Sequence, residues 1–133
     1  MKKAWSLVIV CICCFIVACS SNAEKKEEEE LSFLEVDLSI QPGQADVNEN
    51  VLFEAIVTYG GAPVTDASEV EFEIGHTQAT ETEKIVVEHS QDGIYKLKKT
   101  FSKEGTYYVY AHVTAEGLHT MPKKEFVIGN QEN

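Results

Sequence analysis

The sequence contains no arginine. Its eleven basic residues are all lysine, set against 22 acidic ones, for a formal net charge of −11. A chain so short of cations has no patch with which to grip a phosphate backbone, which argues against nucleic-acid binding. Nor is it drawn to anionic lipid headgroups. Catalytic signatures are equally scarce. No Gly-rich phosphate loop and no nucleophile elbow is present. The many carboxylates fall into no paired catalytic motif and read as a solvated acidic surface. The chain is therefore not expected to be an enzyme.

Cysteine is missing from everything after position 19; the four present are Cys11, Cys13, Cys14 and Cys19. Met1-Lys2-Lys3 is a short positive segment, and Ala4 to Ala18 is an uncharged, mostly apolar run. A membrane span needs about twenty apolar residues, so this run fits a signal h-region better. It closes on Ile16-Val17-Ala18-Cys19, which resembles a bacterial lipobox. The resemblance implies diacylglycerol transfer to the Cys19 sulfur and cleavage before it. Residues 1–18 are thus expected to be a lipoprotein signal peptide. The mature chain would have a net charge of −13, because Lys2 and Lys3 leave with the signal. With Cys19 spent as anchor, it would hold neither a disulfide nor a thiolate metal site. The expected location is the bacterial cell membrane, lipid-anchored, with the domain on the extracytoplasmic side and a membrane protein as possible partner.

Residues 19–31 form the lipidated cysteine and a charged linker. Ser20 to Glu30 reads SSNAEKKEEEE, which has no large apolar residue and should behave as a self-repelling tether. From 32 to 133 the pattern changes to short alternating runs separated by turn signals. Phe33–Ile40 places Leu34, Val36, Leu38 and Ile40 on one face. Val51–Tyr59 follows with Phe53, Ala55 and Val57. Val70, Phe72 and Ile74 alternate with glutamates. Lys84–Glu88, Gly93–Phe101, Gly105–Thr114 and Lys123–Ile128 complete seven runs, with Gly60-Gly61-Ala62-Pro63 and Asp92-Gly93 as turns. Seven such runs and no credible helix predict a single all-β, immunoglobulin-like antiparallel sandwich, without the Cys…Trp…Cys core of antibody domains. Tyr107, near the start of the long sixth run, is placed for a tyrosine corner.

Three segments carry a family resemblance: Gly61–Ile74, Asp92-Gly93-Ile94-Tyr95, and above all Gly105–Pro122, GTYYVYAHVTAEGLHTMP. Together they resemble the YtkA-like domain, related to the FixH-like proteins. That resemblance implies an extracytoplasmic Ig-like domain, commonly on a lipoprotein. It implies no defined activity, although copper-related roles are suspected in the family.

One constellation stands out. If Glu116-Gly117 centres a hairpin, facing residues have numbers adding to 233. Thr114 then faces His119, and His112 faces Met121, all on one sheet face. Two imidazoles and a thioether make a ligand set suited to copper, because thioether selects Cu(I) and imidazole binds either oxidation state. Zinc would prefer a carboxylate or thiolate to Met. His76 is a further candidate ligand. The opposite face would hold Tyr107, Val109, Ala111 and Val113 with Leu118, Phe126 and Ile128. Lys124 would fall on that core side, which predicts a register shift at a bulge near Pro122. The bland alternative is a metal-free interaction or envelope-structure module working through an exposed sheet face, with Tyr108 and Tyr110 as contacts. The loop Asp46, Asn48, Glu49, Asn50 lacks the spacing of a calcium loop.

Overall fold

The computed structural model describes residues 31–130. The expected signal peptide, Cys19 and nearly all of the linker lie outside the described residues. In chain order the strands are β1 (Leu34–Gln41), β2 (Gln44–Ala45), β3 (Val51–Tyr59), β4 (Ala62–Pro63), β5 (Glu69–His76), β6 (Thr82–Val86), β7 (His89–Gln91), β8 (Ile94–Lys99), β9 (Gly105–Ala115), β10 (Leu118–Thr120) and β11 (Lys123–Ile128). All seven predicted runs are strands. The four others, of two or three residues each, are too short to show a period of two. No helix occurs among the described residues.

The strands form two sheets. One has the order β1-β3-β8-β7, with β4 against β3; the other has the order β2-β11-β9-β5-β6, with β10 against β9. Every pair is antiparallel except β2 beside β11. The chain leaves the first sheet at Gln41 and joins the second at Gln44, so the two sheets share their first long segment. Alternation is cleanest on β9, where Tyr107, Val109, Ala111, Val113 and Ala115 are buried and the residues between them are half-buried. Phe53, on β3, is fully buried and packs against the rings of Phe72, Phe101 and Phe126 from the opposite side, at 6.2, 6.2 and 5.2 Å between centres. This facing of two inner surfaces is what an immunoglobulin-like sandwich requires. The buried core of the described residues lies between Leu38 and Ile128, so residues 31–130 hold that core among themselves without a cysteine.

Two tyrosines lock the connections. Tyr107 Oη donates to the Lys103 carbonyl at 2.7 Å, the expected corner. Burial raises the Tyr107 phenol above its usual value of 10.0. Tyr95 Oη donates to the Val64 carbonyl and accepts from the Ala67 N–H, both at 3.1 Å, which fixes the loop between β4 and β5 to the first sheet.

The final hairpin corrects two expectations. Thr120 pairs with Val113 and Lys123 with Tyr110, so the register is the same on both sides of Pro122 and nothing is inserted. Pro122 lacks an N–H, yet its carbonyl still accepts from Ala111 at 3.0 Å. Lys124 does face Val109, but β2 covers β11 only at Val127 and Ile128. The lysine therefore reaches solvent past an open edge. Leu118, assigned to the core, is 43% exposed, because it lies beside the turn, beyond the packed layer.

Candidate functional site

The turn that builds the site is a two-residue connection. Ala115 pairs with Leu118, and the intervening Glu116 and Gly117 both have positive φ, 51° and 72°. This is the twist that a tight hairpin needs, and Gly117 supplies it without steric cost. The turn fixes His119 opposite Thr114. Continuing the same register sets Met121 across from His112, between His119 and Lys123 on the outer face. The Lys123 ammonium lies 4.9 Å from the Tyr108 ring centre and 5.5 Å from that of Tyr110, which confirms which face these residues share.

A row of rings runs along this face. Tyr108 to Tyr110, Tyr110 to His112, and His112 to His119 are each 5.8 Å between centres, the last pair nearly parallel at 27°. The neighbouring strand β5 lays two carboxylates beside the row. Glu71 is paired with His112 across the ladder, and Glu73 with Tyr110. Glu73 Oε2 stands 3.5 Å from His112 Nε2 and 3.6 Å from the Lys84 ammonium. His112 Nε2 is shielded from solvent, and no hydrogen bond to it is present among the described residues. His119 is more open, and its Nδ1 is 2.9 Å from Thr114 Oγ1. Met121 is 47% exposed.

The structure thus brings His112 and His119 together and sets Met121 beside them. It does not bring His76 to them. His76 follows Ile74 on the inward side of β5, whereas Glu71 and Glu73 point outward. Both its ring nitrogens are engaged: Nδ1 accepts from the Gln78 N–H at 3.1 Å, and Nε2 faces the Glu104 carbonyl at 3.3 Å. His89 is likewise used, accepting the Gly93 N–H at 3.0 Å. The Glu49 carboxylate accepts from the Asp46 N–H at 2.8 Å and closes its own loop. Among the described residues, no three or more of His, Cys, Asp and Glu are gathered as a ready ligand set.

Sequence reasoning missed Glu73 as a neighbour of His112. It read as one polar residue of an alternating strand, and only the placement of β5 beside β9 gives it a role. It also missed an open cleft of about 390 Å³ where β5 ends and β6 begins, near the segment leaving β8. Buried Ile74, Phe101 and Tyr107 and the Lys99–Glu83 ion pair, at 2.8 Å, line it.

Two inward-packed, largely antiparallel sheets define an immunoglobulin-like sandwich domain. The chain belongs to the YtkA-like family, whose model matches residues 28–112. The match takes in β1, β2 and β3, which the three resembling segments left out. It ends at His112, so His119 and Met121 lie beyond it. No curated protein matches the chain. Among solved structures, an engineered protein shares 14% identity at a TM-score of 0.55, over 72% of this chain and 20% of that one. An alkylpurine DNA glycosylase from Pseudomonas fluorescens, bound to DNA, shares 13% at 0.54, over 73% and 30%. This chain therefore spans less than a third of either protein. The CARDB domain of a Pyrococcus furiosus protein, in complex with di-metal ions, shares 16% at 0.51, over 74% of this chain and 94% of that domain. At these identities the likeness is one of fold.

Proposed function

We propose that this protein is a lipid-anchored, extracytoplasmic, non-catalytic binding domain whose ligand is Cu(I), held by His112, His119 and Met121. The observation that carries the reading is the state of His112. Its ring stacks on the His119 imidazole at 5.8 Å on the outer face, and the hairpin register sets Met121 beside the pair. The donor chemistry fits, since imidazole and thioether favour Cu(I) over harder divalent ions.

Anchoring at Cys19 would give the site a position. β1 packs against β10, so the strand that follows the linker begins at the end of the sandwich that carries the His119 turn. Twelve residue steps from Cys19 to Leu31 span at most about 40 Å. The copper face would then work close to the membrane, within reach of a membrane protein that gives or takes the ion.

The test is a Cu(I) titration of residues 31–133 under reducing conditions, with a competing chelator. Stoichiometric binding that disappears in the His112→Ala, His119→Ala double variant, with the strand signature in circular dichroism unchanged, supports the reading. Equal affinity in the double variant overturns it.

A second reading rests on Tyr108, Tyr110 and the Lys123 ammonium above them. Half-exposed aromatics beside a cation are common at protein interfaces. On this reading the face docks a protein without metal, and the Tyr108→Ala, Tyr110→Ala variant loses the partner while Cu(I) is irrelevant to binding.

A further inference from the structure

The two imidazoles of the site have different neighbours at different nitrogens. His112 turns Nε2 toward the Glu73 carboxylate, 3.5 Å away and shielded from water. A lone pair on Nε2 would face the lone pairs of an anionic oxygen, with no water to intervene. A proton there faces them favourably. Glu73 itself is held from its other side by Lys84, which also reaches Glu71 at 3.7 Å. The carboxylate is thus kept in place beside the ring. His119, by contrast, has its Nδ1 against the Thr114 hydroxyl at 2.9 Å, and no hydrogen bond to its Nε2 is present among the described residues.

We infer that Glu73 and Thr114 are positioning residues that hold the two imidazoles in opposite tautomers. Glu73 keeps the His112 proton on Nε2, and Thr114 accepts the His119 proton from Nδ1. The nitrogens left with lone pairs are His112 Nδ1 and His119 Nε2, and these are the atoms offered to the ligand. The general rule is that the nitrogen that binds is chosen by the polar group the other nitrogen faces, here the Glu73 carboxylate at 3.5 Å and the Thr114 hydroxyl at 2.9 Å. As to copper, this inference rests on the reading above; as to the tautomers, it stands without any metal.

The experiment has two parts, both on residues 31–133. The first is metal-free: ¹⁵N-histidine NMR at about pH 8, where free imidazole is largely neutral. His112 is expected as the Nε2–H tautomer and His119 as the Nδ1–H tautomer. Finding His112 protonated on Nδ1 overturns the inference, whether or not copper binds. The second compares Cu(I) affinity in Glu73→Leu, which removes the acceptor, and Glu73→Gln, which restores an acceptor oxygen. Glu73→Leu is expected to mix the His112 tautomers and to weaken Cu(I) binding about 10- to 100-fold, the usual effect of losing such a partner, with recovery in Glu73→Gln. Wild-type affinity in Glu73→Leu overturns the positioning role. Absence of Cu(I) binding in the unmodified domain overturns the copper reading instead, and the NMR result still decides the tautomers.

Discussion

Tyr107 reaches back over the corner that enters β9 and donates to the carbonyl of Lys103, 2.7 Å away. The bond ties the connection from β8 to the longest strand of the sandwich, and the ring beneath it stacks on Phe126 at 5.5 Å. Removing only the hydroxyl, with Tyr107→Phe, strands a carbonyl but keeps the packing. The expected loss is about 1 kcal/mol in urea unfolding, with Cu(I) affinity unchanged because the corner is remote from His112.

The same tyrosine sets an alkaline limit. Burial raises its phenol above 10.0 in the folded protein. The folded state therefore disfavours the phenolate more than the unfolded state does. Its contribution is complete below pH 10.0 and is lost as pH rises through the folded value. Stability measured by urea unfolding should fall more steeply above that pH in the wild type than in Tyr107→Phe.

Phe53 is the keystone of the aromatic core, fully buried among Phe72, Phe101 and Phe126. Phe53→Ala removes a ring of the first sheet that packs on Phe72 and Phe126 of the second. The expected cost is about 3–5 kcal/mol, a large share of the stability of an ordinary domain, read as a lowered urea midpoint.

Gly117 links fold to site. No atom lies within 4 Å of a Cβ added there, but its φ of +72° is strained for any side chain. Gly117→Val should cost about 1–2 kcal/mol through the backbone alone. Because the turn sets His119 opposite Thr114, the variant should also weaken Cu(I) binding, which chelator competition would reveal.

Much of this was legible in the sequence because it rests on local rules. Alternation of period two located all seven long strands, and a two-residue turn at Glu116-Gly117 fixed the register that brings His119 to Thr114. What escaped depends on distant neighbours. His76 seemed available as a ligand until β5 was seen to turn it inward, against Tyr107. Glu73 acquired meaning only once β5 was placed beside β9. Lys124 suggested a bulge because an inward lysine looked impossible, and the open edge left by the short β2 removes the difficulty. Leu118 was counted in the core by its parity alone, but parity says nothing of how far the opposite sheet extends.

The central claim, that two imidazoles and a thioether on this face hold copper, is tested most directly by X-ray absorption on residues 31–133 loaded with one equivalent of Cu(I). The account predicts a sulfur neighbour alongside imidazole nitrogens, with the sulfur signal lost in Met121→Leu and the imidazole signal lost in the His112, His119 double variant. Copper surrounded only by oxygen and nitrogen, or a spectrum unchanged in Met121→Leu, would contradict it.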